Sequence, residues 1–149
     1  YSEQGNHELT VAEYTRAIEL DSTEPLFYNN RAITYANDLS ENEKALSDYN
    51  TAVDLAKAQG SNFAYPLSYY INSRARYYYK LRDFENSIID FTRCIDLDPE
   101  NAEYYQYRAY AYKELKKYDL ALADYERSLE LANDIGSIKD YWTIYLAIL

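Results

Sequence analysis

The stretch Ala102–Leu131 reads AEYYQYRAYAYKELKKYDLALADYERSLEL, and its pattern recurs along the chain at a spacing of about 34 residues. Counting Ala102 as position 1 puts arginine at position 7, alanine at 8 and 20, and tyrosine at 4, 11 and 24. A second copy starts at Ser68 without gaps, a third starts at Pro25 with one inserted residue near 37–40, and a partial copy precedes it. An internal repeat of this length predicts stacked copies of one small unit.

The small residues of the repeat indicate how such a unit packs. Positions 8, 20 and 27 hold Ala109, Ala121 and Ser128 in the last copy, which lets two antiparallel helices approach closely. Aromatic rings at positions such as 4, 11 and 24 fill the seam between those helices. We therefore predict that half of the 20 tyrosines are packing residues. They are Tyr1, Tyr14, Tyr28, Tyr35, Tyr49, Tyr78, Tyr105, Tyr112, Tyr118 and Tyr125.

This pattern resembles the tetratricopeptide repeat over nearly the whole chain. The resemblance implies an all-α fold, a right-handed superhelical solenoid of antiparallel helix pairs. Departures from the family pattern are local. Thr10 and Ser87 replace alanine at position 20, and His7 and Asn42 replace the aromatic residue at position 17. Proline at position 32 occurs in one copy, as Pro99, and none of these changes is expected to break a helix pair.

The ends of the copies predict the boundaries of the repeats. The second and fourth copies end in the spacing L-A-x-x-x-G-S, at Leu55–Ser61 and Leu131–Ser137. There the second helix is expected to run about a turn longer before glycine stops it. The chain reads as a piece of a longer array, because it starts inside one copy and ends inside another. The expected organisation is a single domain over 1–149, with a partial repeat at 1–24, repeats at 25–67, 68–101 and 102–137, and the opening helix of a further repeat, or a capping helix, at 138–149.

Charge and residue usage argue against several classes of function. The net charge of -10 disfavours nucleic acid, whose phosphates require clustered lysine and arginine. No apolar run reaches the roughly 18 residues of a membrane span. With His7 as the only histidine, Cys94 as the only cysteine and three glycines, the sequence offers no metal cluster, phosphate-binding loop or activated nucleophile. We therefore predict that the protein is not an enzyme and uses no cofactor or metal. The cytoplasm is the favoured compartment, since a lone cysteine is compatible with reducing conditions.

The resemblance also implies where a ligand would bind. In tetratricopeptide arrays the first helix of each pair lines a concave groove through positions 2, 5, 6, 9, 12 and 13. Amide side chains there can bind the backbone of an extended peptide, and tyrosines offer rigid contact area. Any single asparagine is equally well explained as a solvated residue. The predicted peptide-binding residues are Asn29, Asn30, Ile33, Asn37, Tyr69, Asn72, Arg76, Tyr79, Lys80, Gln106, Tyr107, Tyr110 and Lys113.

Three tyrosines in this set are the favoured binding residues. Tyr79, Tyr107 and Tyr110 occupy groove positions and have no seam role in the repeat alignment. The ionisable groove residues nearly cancel, because Arg76, Lys80 and Lys113 are offset by Glu103 and Glu114. The groove is therefore expected to be close to neutral on an acidic protein.

A more specific ligand mode of the family is disfavoured. Chaperone adaptors with such repeats hold a C-terminal carboxylate in a clamp of lysine, asparagine and arginine, and Asn30 resembles the clamp asparagine. The following copy should then have lysine at position 2 and arginine at position 6. It has Tyr69 and Ser73, and the last copy has Glu103 and Tyr107. The sequence therefore argues against a clamp for heat-shock chaperones.

An arginine and an aspartate recur at fixed positions in the copies. Arginine at position 7 and aspartate at position 23 are expected to form ion pairs between helices, which fix register more than they add stability. The arginines are Arg31, Arg74 and Arg108, and the aspartates are Asp48, Asp90 and Asp124.

Two functions remain open on this evidence. The first is a scaffold that binds a peptide or protein segment in the concave groove. The second is an assembly module that forms homo-oligomers through its open repeat ends. Its motive is Tyr141–Leu149, which is apolar nearly all round and needs a neighbour.

Overall fold

A computed structural model describes residues 3–39, 41–60 and 65–132, with side chains described from Asn6 onward except at 38 and 39. Within these ranges the secondary structure is helical and contains no strand, which confirms the all-α class. Tyr1 and the predicted opening helix at 138–149 lie outside the described residues. The helices are α1 (Glu3–Leu20), α2 (Pro25–Thr34), α3 (Asn42–Gln59), α4 (Leu67–Lys80), α5 (Phe84–Leu97), α6 (Ala102–Glu114) and α7 (Tyr118–Ala132), and a π-helical segment, Tyr35–Leu39, extends α2.

The chain divides into two compact units. Unit 1 is Tyr1–Arg74 and unit 2 is Ala75–Leu149, so the boundary falls inside α4. In unit 1 the helix α2 packs against both α1 and α3, and in unit 2 the helix α6 packs against both α5 and α7. The division into repeats proposed above stays a prediction about the organisation of the whole chain.

The small residues of the repeat lie where the helices touch. In the copies that start at Pro25, Ser68 and Ala102, the residues at positions 8, 20 and 27 are at most 2% exposed. The two serines in this set are satisfied, because Ser87 donates to the Ala75 carbonyl at 3.0 Å and Ser128 to the Ala102 carbonyl at 2.9 Å. The buried small residues are Ala32, Ala45, Ala52, Ala75, Ser87, Cys94, Ala109, Ala121 and Ser128.

Polar caps and left-handed residues set the ends of the helices. The side chains of Glu24, Asp83 and Asn101 accept backbone N–H groups at the starts of α2, α5 and α6. Between α4 and α5 the chain reverses at Arg82, with φ 62°, and between α6 and α7 it reverses at Lys116, with φ 58°. These two turns occupy the same position in successive copies, so the repeat extends to the backbone of the turn.

The copy that starts at Pro25 reverses differently. Its inserted residue falls in the π-helical segment Tyr35–Leu39, which accommodates one more residue per turn than an α-helix. The helix α3 that follows contains 18 residues, whereas its counterpart α5 contains 14. It ends at Gly60, whose φ of 68° suits glycine and no β-branched residue.

Arginine at position 7 connects three helices in each unit. In unit 1, Arg31 donates from Nε and Nη2 to the two carboxylate oxygens of Asp48 at 2.7 and 2.9 Å, and from Nη1 to Thr15 Oγ1 at 3.0 Å. The guanidinium also lies over the rings of Tyr28 and Tyr35, 5.8 and 6.0 Å from their centroids. The hydrogen bond to Asp48 raises the pKa of Arg31 above its ordinary value. One side chain thus joins α1, α2 and α3.

Unit 2 contains the same arrangement around Arg108. This residue donates to both oxygens of Asp124 at 2.7 Å and to Thr92 Oγ1 at 3.0 Å. Burial alone would lower the pKa of Arg108, but the hydrogen bond and charge of Asp124 raise it overall. Ion pairs between helices are therefore confirmed for Arg31 and Arg108. The third arginine, Arg74, donates to Asn50 Oδ1 at 2.9 Å.

The neutral acceptor in each network was not anticipated from the sequence. Thr15, Asn50 and Thr92 all occupy position 25 of the copy that precedes the arginine. The sequence contained a signal for it, because position 25 holds a residue with a side-chain oxygen in each of these copies. For Arg31 and Arg108 the aspartate connects the arginine to its own repeat, and in all three copies position 25 connects it to the repeat before.

Removing this acceptor should weaken the connection between repeats. We expect Thr92→Val to lower the free energy of unfolding by about 1 to 2 kcal/mol, because one charged N–H of Arg108 then stays unpaired in a partly buried site. The matched control is Thr51→Val, because Thr51 donates only to the Ser47 carbonyl of its own helix and should cost less than about 0.5 kcal/mol. Urea unfolding of the two variants measures the difference, and equal midpoints would contradict the proposed role of position 25.

Candidate functional site

Five of the seven predicted binding residues of unit 2 form a connected cluster on α4 and α6. The ring of Tyr107 stacks on that of Phe91, with centroids 5.5 Å apart and planes 7° from parallel. The guanidinium carbon of Arg76 lies over the same ring, 4.7 Å from its centroid. Arginine favours such a position because the ring face is electron-rich. Tyr107 therefore holds Arg76 in place while Phe91, which is fully buried, fixes Tyr107.

A second tyrosine continues this cluster. The Tyr110 ring meets Tyr107 edge to face at 6.0 Å and meets the buried Tyr125 in the same way at 5.6 Å. Gln106 Nε2 donates to the Tyr110 hydroxyl at 3.2 Å, and Lys113 Nζ lies 5.7 Å from the Tyr110 ring centroid. We call Arg76, Gln106, Tyr107, Tyr110 and Lys113 the α4/α6 cluster.

The expectation that three tyrosines lack a packing role is wrong. Tyr107 stacks on Phe91, and Tyr110 packs against the core of Ala109, Ala121 and Tyr125. The third residue, Tyr79, meets the ring of Phe84 edge to face at 5.4 Å and does not share the contacts of the α4/α6 cluster within the described residues. These tyrosines are half-buried, so each has a packing edge and an exposed edge. Truncating them to alanine would test packing and binding together.

The charged residues of the cluster are only partly compensated. Arg76 Nη1 and Glu103 Oε1 are 3.8 Å apart, and both side chains are 51% exposed. Lys113 is half-buried and has no ion pair within 4.0 Å among the residues that the structure describes. The remaining predicted lysine, Lys80, is exposed on the last turn of α4.

In unit 1 the predicted asparagines divide between the interior and the surface. Asn29 is 0% exposed, which corrects the expectation that its side chain is open to a ligand. Its amide nitrogen donates to Asn30 Oδ1 at 3.5 Å, and its side chain also hydrogen-bonds the Tyr69 hydroxyl. Ile33 and Asn37 are exposed on the same helix and its π-helical extension. Ile33 and Asn37 are therefore the predicted residues of this face that are open to a partner.

Three tyrosines at the start of α4 form a second aromatic group. Tyr65 stacks on Tyr69 at 4.5 Å between centroids, and Tyr69 meets Tyr70 edge to face at 5.2 Å. The Tyr70 side chain is 1% exposed and its hydroxyl has no hydrogen-bond partner among the described residues. Oδ1 of Asn72, also on α4, is likewise buried without a partner in that part of the chain. The Tyr70 side chain and the amide oxygen of Asn72, a predicted binding residue, therefore lie in the interior.

The repeat alignment missed two buried positions. Position 3 is aromatic in all three copies and contributes Phe27, Tyr70 and Tyr104, of which the two tyrosines are buried. Position 10 contributes Tyr77 and Ala111, also buried. The aromatic recurrence at position 3 was visible in the sequence, whereas nothing in residue type marks position 10.

The described part of the chain contains no group of three or more histidine, cysteine, aspartate or glutamate side chains placed to hold a metal ion. Cys94 is a buried free thiol. None of the described helices is both long and apolar enough to cross a membrane.

Two family models described as tetratricopeptide repeat match the sequence, at residues 69–101 and 91–123. Human serine/threonine-protein phosphatase 5 is 39% identical over 72 residues, which are 48% of this chain and 14% of that protein. Human RNA polymerase II-associated protein 3 is 32% identical over 135 residues, which are 91% of this chain and 18% of that protein. The chain thus spans less than a fifth of either relative.

Solved structures with a similar fold include two further proteins. The first tetratricopeptide domain of Spaghetti (RPAP3), bound to the HSP90 peptide SRMEEVD, has a TM-score of 0.70 at 23% identity, and the match covers 86% of this chain and 95% of that one. MamA has a TM-score of 0.78 at 15% identity, and the match covers 96% of this chain and 79% of that one. At these identities the likeness establishes the fold.

Tyr70→Phe should stabilise the protein. The substitution removes a buried hydroxyl that has no partner and leaves the ring in place, so we expect a gain of about 1 kcal/mol in the free energy of unfolding. Tyr77→Phe is the matched control, because Tyr77 is equally buried but its hydroxyl is not among the unpaired ones. Chemical unfolding of both variants is the measurement, and a loss of stability in Tyr70→Phe would show that the hydroxyl has a partner after all.

The same hydroxyl predicts a loss of stability at high pH. Burial, with smaller effects from Glu24, Tyr69 and Tyr65, raises the pKa of Tyr70 from 10.0 to about 12. The folded state therefore holds this proton more tightly than the unfolded state. Below pH 10 the Tyr70 proton is bound in both states and its ionisation does not change the free energy of unfolding. As the pH rises from 10 through 12, the unfolded state loses the proton first and the free energy of unfolding falls. Free energies of unfolding measured across this range should fall less steeply in Tyr70→Phe than in the wild type, and parallel curves would contradict the assignment.

Proposed function

The chain belongs to the tetratricopeptide repeat family, and we propose that it is a non-catalytic scaffold that binds a peptide or protein segment on the exposed faces of its first helices. These helices are α2 in unit 1, α4, and α6 in unit 2. The proposal needs no cofactor, metal, nucleic acid or membrane. The cytoplasm remains the predicted compartment.

The observation that carries the proposal is the α4/α6 cluster. Its tyrosines, amide and cations lie side by side on one helical face, and each is fixed from beneath by a ring or a hydrogen bond. Rigid aromatic residues flanked by polar groups bind peptides at a small entropic cost. The Spaghetti (RPAP3) domain, which has this fold, was solved with a bound peptide, and this supports the same class of ligand here.

The chain is not expected to hold such a peptide through the family's carboxylate clamp. The positions where that clamp requires lysine and arginine are occupied by Tyr69 and Ser73 in one copy and by Glu103 and Tyr107 in the next. Tyr69 and Tyr107 cannot supply the positive charge of the clamp, and both pack against neighbouring rings. We propose that the ligand differs from that of the chaperone adaptors.

A second function, self-association through the repeat ends, is favoured by the surface of α1. Leu20 is 83% exposed and Leu9 is 60% exposed, and both are large aliphatic side chains of α1. The segment Tyr141–Leu149, which motivated this alternative, lies outside the described residues. Homo-oligomer formation through α1 is therefore the alternative proposal.

One pair of substitutions separates the two functions. Ile33 is 36% exposed on α2 and Leu20 is exposed on α1, so replacing either by glutamate adds one charge to an exposed aliphatic position. If a first-helix face binds the partner, Ile33→Glu should reduce partner recovery from native lysate at least about tenfold, and Leu20→Glu should leave it unchanged. Recovery is measured by quantitative mass spectrometry with the whole chain as bait.

The alternative makes the opposite prediction for the same two proteins. If self-association is the function, the wild type should be oligomeric by light scattering, and Leu20→Glu should convert it to a monomer. Equal partner recovery by wild type and Ile33→Glu would remove α2 from the proposed binding surface. Thermal unfolding of both variants checks that each remains folded.

A further inference from the structure

We propose that the open ring face of Tyr65, in its stack with Tyr69, binds the cationic side chain of an arginine or a lysine in the partner segment. This inference rests on the proposed peptide-binding function and specifies the chemistry of its ligand in unit 1. Guanidinium and ammonium groups share the positive charge that the electron-rich face of a ring attracts.

The first observation is the exposure of Tyr65. At 43%, it is the one exposed aromatic side chain among those described in 6–37, 41–60 and 65–132. Its ring stacks on Tyr69 with the centroids 4.5 Å apart and the planes 23° from parallel, so one face is covered and the opposite face is open. Tyr69 is held from the other side, because its ring meets the buried Tyr70 edge to face and its hydroxyl is hydrogen-bonded by Asn29. The open face therefore belongs to a ring with a rigid support.

The second observation is that this face holds no cation of the chain itself. In unit 2, Arg76 lies 4.7 Å from the ring centroid of Tyr107, and Lys113 lies 5.7 Å from that of Tyr110. Among the described residues, no arginine or lysine lies over the rings of the Tyr65 stack. A cation from a partner would give this stack the contact that the rings of unit 2 find within the chain. The tyrosines with a cation of the chain also include Tyr28, Tyr35, Tyr105 and Tyr112.

Exposure separates Tyr65 from other tyrosines without a cation. Tyr14, Tyr79 and Tyr118 also have none over the ring within the described ranges, but all three are half-buried. Tyr79 meets Phe84 edge to face, and Tyr118 packs against the core of unit 2. The face of Tyr65 is therefore the one that combines an open ring with the absence of an internal cation.

The third observation is the negative charge beside the stack. Glu24 accepts the Leu26 N–H at 3.1 Å and has no ion pair among the described residues. Burial is the main cause that raises the pKa of Tyr70 to about 12, and the charge of Glu24 adds to it. Since the Tyr70 ring contacts that of Tyr69, this unpaired carboxylate lies within electrostatic reach of the stack. The net charge of -10 also attracts a basic segment and repels an acidic one.

This arrangement distinguishes a cationic side chain from a neutral one of the same shape. A planar guanidinium can lie parallel to the Tyr65 ring with its N–H groups still in water, and an ammonium group can approach the same face as a point charge. A neutral side chain can pack on the ring but gains nothing from its charge distribution or from Glu24. The positive charge is therefore the property that the site is expected to select.

The experiment is a nuclear magnetic resonance titration of the whole chain with three short peptides at about 0.15 M salt. N-acetyl-Gly-Arg-Gly-amide carries a guanidinium, N-acetyl-Gly-Lys-Gly-amide carries an ammonium, and N-acetyl-Gly-citrulline-Gly-amide has the shape of the arginine peptide without its charge. The signals observed are the ring resonances of Tyr65, assigned by their loss in Tyr65→Leu, and the side-chain methylene protons of each peptide. Protons above a ring face move upfield, so we expect saturable upfield shifts with one or both cationic peptides and not with the citrulline peptide.

Four variants give the expected directions. Tyr65→Leu should weaken binding about two- to fivefold, and Tyr65→Phe should retain the wild-type affinity, because the ring face and not the hydroxyl makes the contact. Glu24→Gln should weaken binding by a similar factor while its amide oxygen can still cap α2. Glu8→Gln is the matched control, because it removes one negative charge from an exposed site about 18 Å along α1 from Leu20 and should leave the affinity unchanged. Thermal unfolding checks that each variant remains folded.

Binding by only one cationic peptide supports the inference and identifies the cation. Equal shifts with all three peptides, or none with any, would overturn it. Equal affinities of Tyr65→Leu and wild type, or equal weakening by Glu24→Gln and Glu8→Gln, would do the same. Such a failure would leave the proposed scaffold function standing if partner recovery still depends on Ile33. Loss of that dependence as well would remove both.

Discussion

The partly buried guanidinium of Arg31 in unit 1, like that of Arg108 in unit 2, is the interaction on which the packing of its unit depends. It binds an aspartate of its own helix pair and a neutral oxygen on the helix before it, so one side chain connects three helices. The charge of an arginine at this position needs a partner, because an unpaired charge in such a site costs several kcal/mol. The network therefore allows one register between neighbouring helices and opposes others.

Close approach of the helices follows from a different constraint. Alanine, serine and cysteine at positions 8, 20 and 27 have small side chains, so the two helices of a pair can approach closely. The rings at positions such as 4, 11 and 24 then fill the space around this contact. The hydroxyls of the two serines at this contact are satisfied, because they donate to backbone carbonyls across the pair. With packing and register fixed in this way, the remaining faces of the first helices are not constrained by these contacts.

The α4/α6 cluster combines packing contacts with polar groups at the surface. Tyr107 stacks on Phe91 and Tyr110 meets Tyr125 edge to face, while Arg76 lies over the Tyr107 ring and Lys113 lies near the Tyr110 ring. A cation held on a ring loses less freedom when it binds a ligand than one on a flexible chain. The aromatic layer thus positions Arg76 and Lys113 on the surface of an acidic protein.

The sequence by itself determined the helical repeat, the small residues at the helix contacts and the pairing of arginine with aspartate, because each depends on spacings that recur along the chain. It also located most of the exposed face that the proposed site uses. Only the tertiary structure decided that Asn29 is buried, that Tyr70 has an unpaired hydroxyl, and that Tyr79, Tyr107 and Tyr110 are packing residues as well. A repeat alignment assigns one role to each position. Burial and pairing depend instead on the neighbour that the fold brings against that position, and the neighbours differ from copy to copy even where the positions agree.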